Sequence, residues 1–372
     1  MTMHSTTSEL ARPETAVPSK YVHKTAHSEV LLTSWHKRSA DEYTVTAQWP
    51  RTHGFYRLAH QLYDPMLFAE TVRQAIPLLS HVAYDVPFGY HLIWEHFSYG
   101  LALENLRSSA GPAELVLHIS CTGIERRRAN LAAMTLQLRA ERDGRHLGTA
   151  EARFTSHSPA VYRRLRGVHS ELNSALAMAR PPEKAILAHL AGRRLSEDVV
   201  LAPGGRSNCW QLRVDTEHPA LFDHPVDHVP GMLILEAARQ AAQAARTPVP
   251  VVVVGMETKF HRYLELDAPC WIQLFPAARP DRLRFAVEQD NTLCTSGEMS
   301  LSTPDETAPS TTTEAALPKS GEAALPTPVE AARRPFFSAQ RTYGSPAPEI
   351  PRPAATCEVS APCGAEWNSP AT

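Results

Sequence analysis

The chain has 372 residues, a formal net charge of −2 and 43% hydrophobic residues. That length supports two domains with sizeable cores, and the near-neutral balance argues against a general nucleic-acid or polybasic membrane partner. Six cysteines, at 121, 209, 270, 294, 357 and 363, lack CxxC or zinc spacing, which points to reduced thiols in the cytoplasm instead of a disulfide framework.

Residues 1–20 are rich in Thr, Ser, Glu and Pro and read as a flexible leader, not a signal peptide. No apolar run reaches the roughly 18 residues of a membrane span. Alternation over Glu42–Trp49 predicts a strand. A helix follows over about Pro65–His81, with Pro77 expected to end or kink it. Four β-rich stretches come next: Tyr90–Leu101, Glu114–Cys121, Asn130–Glu141 and His146–Ser156. The last two are joined by the hairpin-like Arg142-Asp-Gly-Arg145. The second half repeats the order, with a strand over Ser207–Asp215, a helix to about Arg246, and a buried Val249–Val254 strand. Further strands are expected at His261–Leu266, Trp271–Phe275, Leu283–Val287 and Thr295–Leu301. Between the halves, Glu183–Arg194 looks helical, and Asp198–Leu201 reads as a short strand opening the second half. The last 70 residues hold 12 of the 31 prolines and repeat Glu-Ala-Ala-Leu-Pro, so a disordered tail is expected. Arg333-Arg-Pro-Phe-Phe337 stands out in it as a short motif. The domain plan is a leader (1–20), a first domain (21–166), a linker (167–182), a second domain (183–302) and a tail (303–372).

Phe222–Ala241 is the most informative stretch. Its loop, Asp223-His-Pro-Val-Asp-His228, turns at Pro230-Gly231 into a helix that is apolar nearly all round. Glu236, Arg239 and Gln240 nevertheless share one face. The same stripe occurs 166 positions earlier: Met66, Leu67, Glu70, Arg73, Gln74 and Ala75 recur as Met232, Leu233, Glu236, Arg239, Gln240 and Ala241. Six identities in ten positions indicate a domain duplication; the period is too long for a solenoid.

A carboxylate and a guanidinium on a greasy helix are costly to bury unless they pair or meet a polar cavity. One reading is a structural i, i+3 ion pair. The other is a base with a tuned pKa beside a fork that holds a phosphate or carboxylate. In the loop, Asp223, His224, Asp227 and His228 permit zinc, a capping network or a catalytic histidine. The flanking Pro225 and Pro230 disfavour zinc ligands at helical spacing. The first half has Leu58 at the position of His224, with His60 nearby, so its site is incomplete or shared. Gly231 marks either a plain tight turn or a helix start that could hold an anion. Cys209 and Cys270 beside Trp210 and Trp271 read as core. The clusters Arg126–Arg128 and Arg163–Arg166 are either solvated or a patch for an acidic carrier protein or a phosphate. No P-loop, GxGxxG or GxSxG motif is present.

The string Phe-Asp-His-Pro-Val-Asp-His-Val-Pro-Gly-Met at 222–232, followed by Leu-Glu-Ala-Ala-Arg-Gln, resembles the signature of the A-factor biosynthesis (AfsA-type) proteins over about residues 21–302. More distantly, this loop and helix are similar to the 3-hydroxyacyl-carrier-protein dehydratases. The resemblance implies an α+β fold: two tandem hotdog domains, each an antiparallel sheet round a central helix, paired within one chain. It implies transfer of a β-ketoacyl group from an acyl-carrier protein or CoA to dihydroxyacetone phosphate, in γ-butyrolactone or butenolide signal formation. Glu236, His224 and Glu70 would be catalytic. Arg239, Arg73, Gln240, Gly231, Asp223 and His228 would bind substrate. No metal or redox cofactor is implied, and a homodimer is compatible with the resemblance. The competing readings are a dehydratase or thioesterase on acyl thioesters, and a non-catalytic autoregulator-binding protein.

Overall fold

The computed structural model describes residues 15–304. The first half comprises β1 (Leu32–Lys37), β2 (Glu42–Trp49), α1 (Pro65–Ala83), β3 (His91–Leu101), β4 (Ala113–Arg127), β5 (Asn130–Arg142) and β6 (Arg145–His157). Two short helices, α2 (Pro159–Arg166) and α3 (Leu172–Met178), lead into the second half. That half comprises β7 (Leu201–Pro203), β8 (Cys209–Leu212), α4 (Gly231–Arg246), β9 (Val252–Phe260), β10 (Cys270–Pro276), β11 (Arg282–Gln289) and β12 (Thr292–Ser302).

The strands form one antiparallel sheet in the order β1-β2-β4-β5-β6-β3-β9-β12-β11-β10-β8-β7. Read from each end, the order is the same once β7 stands for β1, β8 for β2, β9 for β3, and so on. The halves are fused where β3 pairs with β9, from His96 opposite Lys259 to Gly100 opposite Gly255. Each half is a hotdog, and together they make an intrachain pseudo-dimer.

Local chemistry explains the elements. The Asp64 carboxylate accepts the Met66 N–H at 2.9 Å, and Pro65 supplies a preset first turn, so α1 starts cleanly. The helix continues through Pro77 to Ala83 and does not end there; buried on nearly every side, it is held by packing although one helical donor is missing. Asp143-Gly144 and Asp290-Asn291, all at positive φ, close the two-residue turns of β5–β6 and β11–β12. Gly297 on β12 allows a close approach: an added Cβ would lie 2.2 Å from the Glu257 carbonyl and 2.6 Å from the Phe285 ring. Gly297→Ala is therefore expected to cost about 1–3 kcal/mol, read as a lowered urea midpoint; an unchanged midpoint would contradict that packing.

Several expectations need correcting. Glu183–Arg194 is not helical: after Pro181-Pro182 it runs as extended chain and turns, with Ile186 N–H bonded to the Leu201 carbonyl. His261–Leu266 is a loop, because the second-half strand begins late, at Val252, and runs on to Phe260. Ser207–Asp215 shrinks to Cys209–Leu212. The leader expected to stay loose to residue 20 is packed by Val17, whose N–H bonds to the Leu32 carbonyl at 2.9 Å. β1, α2 and α3 were not foreseen. The expected tail, its repeated Glu-Ala-Ala-Leu-Pro and the Arg333–Phe337 motif lie outside the described residues, as do Cys357 and Cys363. Cys121, Cys209, Cys270 and Cys294 are buried and form no disulfide. No helix among the described residues is long and apolar enough to cross a membrane.

Candidate active site

The two helix stripes are built alike. Glu70 takes Arg73 Nε on both oxygens (3.0 and 2.9 Å) and Gln74 Nε2 (2.9 Å), with Lys24 Nζ at 3.1 Å. Glu236 takes Arg239 (2.8 and 2.7 Å), Gln240 Nε2 (2.6 Å) and Arg193 Nε (2.9 Å). The glutamines are clips. Gln74 receives the Leu31 N–H and donates to the Glu29 carbonyl; Gln240 does the same with Val200 and Asp198. Lys24, Glu29 and Leu31 lie 169 positions before Arg193, Asp198 and Val200, so the inserted cation is part of the duplication. Burial alone would raise both carboxyl pKa values. The facing cations overcome it: Arg73 and Lys24 hold Glu70 at about 2, and Arg193 and Arg239 hold Glu236 at about 2.

From this common plan the two sites diverge. On the Glu70 side lies a cavity of about 510 Å³. His23, Lys24, Glu70 and Arg73 of the first half line it, facing Asp223, His224, His228 and Gly231 of the second. Trp94, Phe260, Met232 and Ile234 give it an apolar wall. On the Glu236 side, Arg193 reaches across. Its Nη1 donates to the Phe55 carbonyl (2.9 Å) and to Asp64 (3.2 Å), and its guanidinium lies 4.2 Å from the Phe55 ring centre. Glu236 is fully buried there. The cause sits at the helix starts. Asp64 caps α1 with a carboxylate that draws Arg193 in, whereas α4 is preceded by Pro230, which offers Lys24 nothing. One site is open; its twin is filled.

Glu236, Arg239 and Gln240, expected in the site, therefore lie outside the cavity, and the Gln240 amide is spent on backbone. Glu70, Arg73, His224, Asp223, His228 and Gly231 are brought together. His60 is exposed and away from the cavity.

The Asp-His loop is held by two separate anchors. Asp223 accepts the N–H groups of Thr25 (2.6 Å) and Ala26 (3.0 Å), pinning the second-half loop to the first half. It also leaves Oδ2 3.5 Å from His224 Nδ1, a buried nitrogen with no hydrogen-bond partner. Burial, then the nearby Arg73, lowers the His224 pKa, so the ring is neutral at pH 7. Asp227 instead accepts the Tyr162 hydroxyl (2.7 and 2.9 Å) and pairs with His228 Nδ1 (2.6 Å). The two Asp-His pairs thus face different partners. Among the described residues no three His, Cys, Asp or Glu side chains are grouped as metal ligands. At Gly231 a Cβ would lie 3.0 Å from the Trp94 ring, so glycine lets the indole close over the start of α4. That start has no side-chain cap, which leaves its first N–H groups beside the cavity.

Sequence reading missed His23, Lys24, Trp94 and Arg193. His23 Nε2 lies 2.8 Å from His81 Nε2, and His81 Nδ1 lies 2.6 Å from the Val86 carbonyl. A carbonyl only accepts, so neutral His81 carries its proton on Nδ1 and His23 donates from Nε2. His23 Nδ1 is then bare. Burial, with Arg73 and His81, lowers this ring to about 3.

A helix carboxylate–guanidinium pair of one hotdog facing a histidine loop of the other, across a part-apolar cleft, defines a tandem-hotdog protein with a candidate inter-repeat site. The chain belongs to the A-factor biosynthesis (AfsA) hotdog family, whose domain profile matches residues 5–158 and 175–304. It is 41% identical over 280 residues to a 2-oxo-3-(phosphooxy)propyl 3-oxoalkanoate synthase of Streptomyces virginiae, covering 74% of this chain and 94% of that one. A protein of the same name from Streptomyces coelicolor is 40% identical over 284 residues, covering 74% and 88%. Among solved structures, a 12:0-ACP thioesterase from Umbellularia californica superposes with a TM-score of 0.44 at 6% identity, covering 72% of this chain and 99% of that one.

Proposed function

We propose that this chain is an acyltransferase that esterifies the hydroxyl of dihydroxyacetone phosphate with a β-ketoacyl group taken from a thioester. The product is the ester that the relatives' shared name describes, a precursor of γ-butyrolactone-type signals. The observation that carries this reading is the cleft where His224 of one repeat meets the Glu70–Arg73–Lys24 cluster of the other.

The phosphate sits against Arg73 and Lys24, which supply point charge and a fork. The acyl chain lies along Trp94, Phe260, Met232 and Ile234. Neutral His224 takes the hydroxyl proton as the oxygen attacks the thioester carbonyl. The tetrahedral oxyanion faces the uncapped N–H groups at the start of α4. Collapse breaks the C–S bond, and the imidazolium returns its proton to the leaving thiolate. The nearby Asp223 carboxylate stabilises that imidazolium. Glu70, held at about 2, is too weak a base for an alcohol; its task is to hold Arg73 and Lys24 in place.

The test is the mass of the product from purified protein, a β-ketoacyl thioester of a small thiol and dihydroxyacetone phosphate. A phosphate-bearing ester is expected. Consumption of the thioester at the same rate without the triose phosphate, giving free acid, would replace this reading with a thioesterase; loss of water from the matching 3-hydroxyacyl thioester would replace it with a dehydratase.

A further inference from the structure

The two arginine clusters, 37 positions apart in sequence from Arg126 to Arg163, come to the same side of the cleft. α2 forms part of its rim. Tyr162 stacks on His91, a cavity residue, with ring centres 3.5 Å apart, and bonds to Asp227. Arg166 turns inward, paired with Glu265 and lying 4.0 Å from the Tyr263 ring centre. The outward face of α2 and the turn after it are different: Arg163, Arg164 and Leu165 on the helix and Val168 in the turn are exposed, the last two at 60% and 76%. The tip of the β4–β5 hairpin carries Arg126, Arg127 and Arg128, also exposed. The sheet register carries it to the same rim: Arg126 stands opposite Leu131 on β5, Ala133 opposite Thr155 on β6, and the neighbouring His157 opposite His91 on β3. Arg262, exposed, lines the cavity itself.

Acids are present nearby but engaged elsewhere. Glu125 and Glu95 pair with Arg153, and Glu265 with Arg166 and His169. Among the described residues, Arg127, Arg128, Arg163, Arg164 and Arg262 have no carboxylate partner. A chain of net charge −2 thus concentrates unpaired cations at one opening, around an exposed apolar pair. Apolar centre and charged margin are the anatomy of a protein-docking surface, and clustered like charge speeds encounter with an oppositely charged partner.

We propose that the outer face of α2, with the Arg126–Arg128 hairpin and Arg262, docks an acidic acyl-carrier protein that delivers its thioester through the adjacent opening. This rests on the acyltransfer reading above and selects the protein-borne donor over a free nucleotide thioester. Leu165 and Val168 meet an apolar patch of the carrier, and the arginines meet its carboxylates.

The experiment compares three donors carrying the same β-ketoacyl group: carrier protein, CoA and a small thiol such as N-acetylcysteamine. In Arg163→Glu/Arg164→Glu, the KM for the carrier-bound donor is expected to rise at least 10-fold. The kcat at saturation and both constants for the small-thiol donor should stay within 2-fold of wild type. A second variant, Val168→Glu, should act in the same direction, and wild-type KM for the carrier should climb with ionic strength. An unchanged carrier KM in both variants overturns the proposal. So does an equal loss with CoA, which would make the rim a nucleotide site. Failure of all three donors to give the ester in wild type would instead strike the acyltransfer reading itself, so the two failures are separable.

Discussion

His224→Asn should lower kcat by about 10²–10⁴ while leaving the unfolding free energy from urea titration within about 0.5 kcal/mol of wild type. The fold should tolerate it because His224 Nδ1 stands 3.5 Å from Asp223, beyond a well-formed hydrogen bond, and the side chain is 41% exposed. Its loss removes a proton acceptor, not a packing element. The pH profile follows from the same surroundings. Burial and Arg73 lower the pKa below the usual 6.5, so the ring is an available base at pH 7. Activity is lost only as pH falls through that depressed value. In kcat/KM against pH the acid limb should therefore lie below pH 6.5, and in His224→Asn it should vanish from the residual rate. A drop of less than about 3-fold, or an acid limb that survives the substitution, would remove His224 from the proton-transfer step.

The doubling of the chain was legible because Glu-x-x-Arg-Gln recurs at one constant spacing. Long strands with clean alternation, such as β2, were legible for the same kind of reason. Which of the twin sites works was not. The cations that complete each stripe, Lys24 and Arg193, differ in type and are spaced by 169, not 166. A fixed-offset comparison passes over them. What fills one site is a tertiary contact between Arg193 and the cap of the other half's helix, which no local pattern encodes. The failed helix at Glu183–Arg194 has the same origin. Its alanine- and leucine-rich composition favours a helix, but the segment is drawn out to deliver Arg193. Gly192, at φ +65°, turns the chain where a Cβ would meet Gln243 Cγ at 3.1 Å. α2, by contrast, announced itself with Ser158-Pro159; Ser158 Oγ accepts the Val161 N–H at 3.4 Å, a cap that was readable and missed.

Arg193→Met should be the more damaging substitution for stability, at about 3 kcal/mol. The range for breaking a buried pair is about 3–5, and the lower end applies because Arg239 and Gln240 still hold Glu236. The Arg193 side chain is only 5% exposed and Glu236 is sealed. Methionine would fill much of the volume but leave Glu236 short of one cation, and the Phe55 carbonyl and one Asp64 oxygen short of a donor. The pH dependence gives an independent check. Glu236 is held at about 2 against an ordinary 4.5, so its folded pKa is depressed. Its contribution is present above pH 4.5 and is lost as pH falls toward 2. Without Arg193, burial is less opposed and the folded pKa rises, so that contribution shrinks and its loss moves to higher pH. Urea titrations at pH 7, 5 and 4 should show the variant weakened throughout, with the difference from wild type narrowing as acid removes the contribution from both. Lys24→Met is the control: Glu70 borders the open cavity and can recruit water, so the cost should be smaller, while the KM for dihydroxyacetone phosphate rises. If Arg193→Met proved no worse than Lys24→Met, the filled twin would not be the structural brace that its geometry describes.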